Sequence, residues 1–477
     1  MEENPIQIEI EDNTTFKERT EGYKNLRYLF DASPEFEQIL TKSSLEDLNK
    51  FSKIIIYPPY AAALGGENPE KDDQFIIKCI KDKDKSGYKS GNLVGFIGYG
   101  KERLTIKSRF GNTLFLYLLE KVLQIQIAKN FKADANSLDS LDILCLLFPF
   151  YLKSAMTRGP YKEYIERPYN DSNLRGKLDI SRFIKEDIPF MGKVPYFCRE
   201  FSFDNGITEL ICCTIDYIER HKRLSALLSE VQEEIRKIKT AAFSYKSQNK
   251  EKIIEWNKRH SIKNGFYSAY RPLQTLCLDI LQNHKSSLGT GPDRIYGVLF
   301  DCAWLWEEYV NLLIGEEFYH PKNKEHKGTQ HMLYATDEKT EKVSRIYPDF
   351  IRRQSPRTIA DAKYKPVENI DSKDRLRMIG YLWRFDSMPG YFIFPEKEGD
   401  AKKDELKWFK SDGFESKDFE DAKEKSREEK GGLAMVACGV KIPQEAENYG
   451  VFSAVMEKEE EKFKKEFLNR IANHGKG

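Results

Sequence analysis

Residues 346–365 read IYPDFIRRQSPRTIADAKYK, and the rest of the chain is best organised outward from them. Ile346 to Ile351 is rich in β-forming residues, Gln354-Ser355-Pro356-Arg357 has turn chemistry, and Thr358 to Tyr364 reads as a second strand. The stretch therefore predicts a β-hairpin. Side chains alternate faces along a strand, so Ile359, Asp361 and Lys363 are expected on one side, with Ala360 and Ala362 packing on the other. Asp349 is then expected to meet Asp361 across the bend.

Two carboxylates brought together repel unless something positive lies between them. Mg²⁺ suits such a place because it is a hard cation that takes oxygen ligands and keeps several waters, and Mn²⁺ can substitute for it. A bound ion of this kind lowers the pKa of a water and neutralises charge growing on a phosphate oxygen. Lys363 is placed to orient that water or to stabilise a phosphorane-like transition state. Pro348-Asp349 followed by Asp361-Ala362-Lys363 matches the PD-(D/E)XK pattern of metal-dependent nucleases, with Asp349, Asp361 and Lys363 as catalytic residues and the two acids as metal ligands. In a chain with 32% charged residues, D/E-x-K triplets also arise by chance on solvated helix faces. Context separates this one from those: it ends an apolar strand, follows a Pro-Asp strand across a short turn, and precedes a predicted helix, Asp374 to Phe385.

A third acid is offered by FDCAWLWEEYVNLLI, Phe300 to Ile314, which reads as a helix. Glu307 lies three residues after Trp304 and three before Val310, on the apolar stripe. An acid on that side needs a partner, and a metal would serve. The bland alternative is a boundary Glu whose carboxylate reaches water. Lys365, Arg375 and Arg377 are candidate phosphate contacts.

With 477 residues the chain can bury two or three cores. Its hydrophobic fraction is 40% and its aromatic fraction 13%, which fit a soluble globular protein. No apolar run is long enough to span a bilayer, and MEENPIQIEIEDN lacks a basic-then-apolar signal, so the expected compartment is the cytoplasm and no membrane is involved. The cysteines at 79, 145, 198, 212, 213, 277, 302 and 438 form no C-x-x-C pair and read as small core residues in a reducing compartment. A formal net charge of +1 excludes nucleic-acid binding by bulk positive field. The most basic stretch, Arg236 to Lys263, reads equally as a solvated helical hairpin or a phosphate-tracking surface.

The expected fold class is α/β, or α+β overall, in three parts. Residues 1–130 form a mixed domain with a helix start at Ser33-Pro34, a buried strand Lys53 to Tyr57, a strand pair Asn92 to Ile97 and Arg103 to Lys107, polar loops at Gly65 to Asp73 and Lys81 to Gly91, and a closing helix over 112–129. Residues 131–285 are mainly helical, with apolar stripes in Leu138 to Ser154, Ile207 to Leu228 and Leu273 to Leu281. Residues 286–477 hold a nuclease core, a central mixed sheet flanked by helices. Its later strands fall near Tyr391 to Phe394 and Leu433 to Val440, with a charged insertion at Gly399 to Gly431 and a final Lys/Glu-laced helix, Phe452 to Asn473.

Other motifs fall away on inspection. Asp82-Lys-Asp84-Lys-Ser86-Gly87 begins like a calcium loop, but its twelfth position is Leu93, where a bidentate acid is needed. There is no G-x-x-x-x-G-K-[ST], so no nucleotide-binding residues are assigned. His320, His326 and His331 lack zinc spacing and are expected in a surface loop.

The surrounding sequence resembles the McrC family, the nuclease subunit of McrBC-type (LlaJI-like) restriction systems. The resemblance covers most of the chain and rests on GFIGYGKERLTIKSRFG (Gly95 to Gly111), FPFYLKSAMTRGPYKEY (Phe148 to Tyr164), YNDSNLRGKLDISRFI (Tyr169 to Ile184), REFSFDN (Arg199 to Asn205), LWEEYV (Leu305 to Val310) and YPDF with DAKYK (Tyr347 to Lys365). It implies a DNA endonuclease acting on double-stranded DNA beside a separate AAA+ GTPase of the McrB type, which reads the modified DNA while the McrC-like chain docks through its N-terminal domain, stimulates the GTPase and cuts. It also puts Glu307 at the position of the family's helix acid. Arg377 departs from the pattern, since relatives often carry Gln four residues before the Tyr that is here Tyr381. Two other readings compete: a non-catalytic scaffold or GTPase activator, and a stand-alone repair nuclease or junction resolvase with the same core.

Overall fold

The structure, a computed structural model, describes residues 6–43, 45, 48, 53–58, 75–82, 85–124, 127, 140–221, 224–283, 295–321, 330–334, 342–355, 357–387, 389–397, 405–410, 429–443 and 446–474. Two compact units divide the chain: Met1–Gln124, Lys129–Leu138 and Gly291–Gly477 make one, and Ile125–Ala128 with Asp139–Thr290 make the other. Among the described residues no helix is long and apolar enough to cross a membrane. The fold is mixed α/β.

The first unit begins with β1 (Gln7–Glu11), β2 (Thr15–Lys17), α1 (Glu21–Ala32), α2 (Pro34–Lys42), β3 (Lys53–Tyr57), β4 (Ile77–Asp82), β5 (Lys85–Ser90), β6 (Leu93–Tyr99), β7 (Glu102–Lys107) and α3 (Asn112–Leu123). Lys81 to Gly91, expected as a polar loop, is largely the β4–β5 hairpin. The loop expected at Gly65 to Asp73 lies outside the described residues.

Strand β8 (Ile295–Asp301), which falls within the residues 286–477 expected to hold the nuclease core, belongs to the N-terminal sheet, whose order is β1-β7-β6-β8-β3. It runs antiparallel to β6 and parallel to β3. Glycine makes this neighbourhood possible. Gly95 (φ 139°) and Gly297 (φ 152°) hold positive φ, and a Cβ on either would stand 2.1 Å from the Val298 carbonyl oxygen or 2.3 Å from that of Phe96. An apolar core of Leu26, Leu29, Phe30, Phe36, Ile97, Leu104 and Leu299 packs α1 and α2 on this sheet.

Beyond β8 come α4 (Cys302–Ile314), β9 (Phe318–Tyr319), β10 (Gln330–Tyr334), β11 (Lys342–Ile346), β12 (Phe350–Arg352), β13 (Ile359–Ala362), α5 (Ser372–Phe385), β14 (Gly390–Glu396), β15 (Glu405–Lys410), β16 (Glu429–Lys441) and α6 (Tyr449–His474). Six of these strands form a mixed sheet in the order β9-β12-β13-β14-β16-β15, with β13, β14 and β16 mutually parallel. Alternation along β14 assigns its two faces. Phe392 and Phe394 join Ile359, Met378, Leu382 and Met435 under α5, while Tyr391 meets Phe467 of α6 edge to face, ring centres 5.3 Å apart. Glu460 of α6 accepts from the hydroxyls of Tyr117 (2.6 Å) and Tyr309 (2.8 Å), tying α3, α4 and α6 together. Most of the charged insertion lies outside the described residues; its edges extend β15 and β16.

The second unit is less purely helical than its apolar stripes predict. Helices Ser140–Met156, Gly206–Arg220, Gln232–Ala241, Lys250–Arg259 and Tyr270–Asn283 are joined by an antiparallel sheet of Glu163–Asp171, Val194–Ser202 and Lys177–Leu178. Glu163–Asp171 alternates half-buried and exposed positions, a period-2 pattern that its charged composition hides. In the basic stretch, Lys237 pairs with Glu233 (2.7 Å), Lys239 with Glu219 (2.9 Å) and Arg259 with Glu255 (2.7 Å).

Candidate active site

Pro348 has no N–H to give a ladder, so the strand predicted from Ile346 to Ile351 is interrupted there. β11 stops at Ile346, the chain passes through Tyr347, Pro348 and Asp349, and β12 resumes at Phe350. Phe350 then pairs with Ala360 and Ile351 with Ile359. Asp349 thus falls beside the end of β13, and its Oδ2 accepts from the Ala362 backbone N–H at 2.9 Å. The Tyr381 hydroxyl of α5 donates to the Tyr347 carbonyl at 3.0 Å and fixes the approach to that turn.

Asp361 lies within β13, and Lys363 follows the strand's end, its backbone N–H donating to the Ile393 carbonyl at 2.8 Å. Asp349 and Asp361 are each only 3% exposed. The Lys363 ammonium stands 2.5 Å from Asp361 Oδ2 and 3.7 Å from Asp374 Oδ1. Burial alone would pull the Lys363 pKa down. The charges of Asp361, Asp349 and Asp374 outweigh it and hold the pKa above the ordinary lysine value, so Lys363 stays protonated.

Helix α4 starts at Cys302, two residues later than predicted, because Phe300 and Asp301 pair with Val94 and Leu93 in the sheet. The Asp301 side chain caps the helix by accepting from the Trp304 N–H at 3.0 Å. One and a half turns on, Glu307 is 7% exposed and opens on the same cleft as Asp349 and Lys363, as its place on the apolar stripe anticipates.

His320 corrects the surface-loop expectation. It is buried, its ring stacks on Phe350 with centres 5.0 Å apart, and its Nδ1 lies 2.9 Å from the Asp349 carbonyl oxygen. Nε2 stands 3.7 Å from Glu307 and 3.5 Å from Glu308. Burial lowers its pKa, but Glu308, Glu307 and the Asp349 carbonyl together leave it raised. No spacing in the sequence signals this role, since its partners lie on other segments. His331 sits in β10, its carbonyl accepting from Arg384 Nε at 2.8 Å, and His326 is outside the described residues.

Of the candidate phosphate contacts, Lys365 and Arg377 line the cleft. Lys365 is ion-paired to Asp374. Arg375 donates from Nη2 to the Ile370 carbonyl at 2.7 Å, holding the turn before α5.

The cleft, about 670 Å³ in volume, also has a wall from the N-terminal residues. Just outside it, Arg109 donates to the Tyr364 carbonyl and, at 3.0 Å, to Asn92 Oδ1, with Asp12 Oδ2 at 3.7 Å. Its guanidinium lies over the Tyr364 ring at 4.8 Å, and the Tyr364 hydroxyl is 2.7 Å from Ser108 Oγ. The residue following Lys363 is thus held by the KSRFG segment of the N-terminal part.

Asp349, Asp361 and Glu307 supply only oxygen donors, the chemistry a hard cation prefers. Among the described residues no three acidic, histidine or cysteine side chains could hold a metal ion.

Comparison with solved structures gives a chain of the refined half-complex from the tetradecameric assembly of Thermococcus gammatolerans McrB AAA+ hexamers with bound McrC. It matches over 97% of this chain and 99% of its own, with 14% identity and a TM-score of 0.47. A chain of the cryo-EM structure of the Thermococcus gammatolerans McrBC complex matches over 65% of this chain and 87% of its own, with 15% identity and a TM-score of 0.28. No curated protein matches. The model of the family described as the McrBC 5-methylcytosine restriction system component covers residues 88–395, from β5 through the cleft acids and Lys363 to β14, and the chain belongs to that family.

Proposed function

We propose that the chain is the Mg²⁺-dependent DNA endonuclease of a GTP-dependent, modification-directed restriction system. The observation that carries this reading is the ion pair of Lys363 with the buried Asp361 at the end of β13, where Lys363, the buried Asp349 and Glu307 line one cleft. Asp349 and Asp361 would hold Mg²⁺, with Glu307 as a further oxygen donor, and the ion would supply an activated water and charge neutralisation at the scissile phosphate. Lys363, whose ammonium stands 2.5 Å from Asp361 Oδ2, donates hydrogen bonds to the attacked phosphate or to the incoming water. Its backbone anchor on β14 fixes where that ammonium can reach. His320 positions the site from behind, holding the Asp349 carbonyl and facing Glu307.

The partner follows from what the chain lacks. It carries no phosphate-cradling loop and almost no net charge, so GTP hydrolysis and recognition of modified cytosine fall to an AAA+ GTPase of the McrB type, with which it forms a hetero-oligomer. The reading is tested by mixing the purified chain with an AAA+ GTPase of the McrB type and a plasmid carrying 5-methylcytosine. Linearisation should require both proteins, GTP and Mg²⁺, and should stop on adding EDTA. Full cutting in EDTA, or by the GTPase alone, would overturn it.

A further inference from the structure

Wrapped against the N-terminal sheet is a smaller three-stranded sheet, β2-β5-β4, whose residues also line the catalytic cleft. Thr15 of β2 pairs with Lys89 of β5, and Lys89 pairs with Lys78 of β4. Directly paired residues share a face, so Thr15, Lys89 and Lys78 form one row across the sheet, and all three line the cleft. On the alternate positions Phe16 and Tyr88, also a pair, are buried in the N-terminal core. The face bearing the lysines is therefore set by packing on the other side.

Like charges directly opposite on neighbouring strands cost stability, and Lys78 and Lys89 are such a pair, with the Lys78 ammonium 5.8 Å from the centre of the Phe75 ring. The same cleft is lined by Lys363, Lys365, Lys373 and Arg377 and by the carboxylates of Asp301, Glu307, Asp349, Asp371 and Asp374. A cleft lined by both cations and carboxylates is what a polyanion with one metal-bound phosphate would need. With a net charge of only +1, the chain concentrates its attraction for phosphate in such places.

We infer that the β2-β5-β4 sheet is a backbone grip for duplex DNA, with Lys78 and Lys89 contacting phosphates of the substrate whose scissile bond lies over Asp361 and Lys363. The inference rests on the nuclease reading and adds the N-terminal part to the substrate site. Phosphate contacts position the duplex without reading its sequence, which leaves recognition of the modified base to the partner.

The test uses the full chain and a short fluorescent duplex, followed by anisotropy between about 50 and about 200 mM salt. Lys78→Ala with Lys89→Ala should weaken binding about tenfold or more and make the slope of log K against log salt shallower by about 1.8, the value for two lost phosphate contacts. Lys78→Arg with Lys89→Arg should keep both affinity and slope. The alanine pair should still unfold cooperatively in circular dichroism, because the sheet is held by Phe16 and Tyr88 on its other face. Asp361→Ala, measured in parallel, should retain duplex binding and lose cutting in the presence of the partner and GTP. Wild-type affinity and slope in the alanine pair, or no duplex binding by the wild-type chain at the lowest salt, would overturn the grip. Wild-type cutting by Asp361→Ala would instead overturn the nuclease reading.

Discussion

Lys363 is surrounded by acids, and that determines how each can be tested. Asp361, Asp349 and Asp374 all act on it, so removing one leaves the ammonium partnered by the others. Asp361→Asn preserves shape and is expected to hold stability within about 2 kcal/mol of wild type. Lys363→Ala instead leaves several buried carboxylates facing one another and should be the less stable variant. Glu307→Gln should lower cleavage and raise the Mg²⁺ concentration needed, which a metal titration of the cleavage rate would read. A loss well under tenfold with unchanged metal dependence would return Glu307 to the role of a boundary acid. At this scale the acids and Lys363 were legible because one short segment carries them, and the position of Glu307 on its helix stripe pointed inward. His320 was not legible: its partners Glu307, Glu308 and Asp349 come from α4 and from the turn before β12, and only the fold brings them together.

At the scale of elements, the junction between KSRFG and the residue after Lys363 is the most informative. Arg109→Ala would leave Asp12 buried without its charge partner and the Tyr364 carbonyl without its donor. We expect a loss of about 3 kcal/mol in urea unfolding, together with reduced cleavage. Asp12 adds a pH dependence. Burial, only partly offset by Arg109, raises its pKa from 3.8 to about 6. Between those values the folded protein holds a proton that the unfolded chain has shed, so this contribution to stability falls as pH rises from about 4 to about 6 and is level above. Asp12→Asn abolishes the titration. Its stability relative to wild type should therefore improve across that interval, as measured by urea unfolding at both ends. Long, strongly periodic elements such as α5 and α6 were visible in the sequence within a few residues. The strands of the second unit were not, because half-exposed strands rich in Glu, Arg and Asn look like loops when the pairing partner is unknown.

Across the whole molecule, the three sequential parts expected from composition are not the parts that pack together. Apolar runs show where a strand lies and are silent about which sheet it joins, and β8 shows the consequence. Lying within the residues 286–477 expected to hold the nuclease core, it is flanked by β6 and β3 and leads directly into α4, which carries Glu307. Deleting residues 1–130, proposed as the partner-docking region, would strip β8 of both neighbours. The remaining fragment is expected to lose cooperative unfolding and cleavage as well as partner binding, a result circular dichroism would show directly. A fragment that still unfolded cooperatively would mean that the C-terminal part is autonomous. The proposal that Asp349, Asp361 and Lys363 cut DNA is tested most directly by single-turnover cleavage of modified duplex by wild type and Asp361→Asn, each with the GTPase partner, GTP and Mg²⁺. Asp361→Asn should cut about 100-fold or more slowly, with GTPase stimulation unchanged; cutting at the wild-type rate would overturn the assignment of these residues.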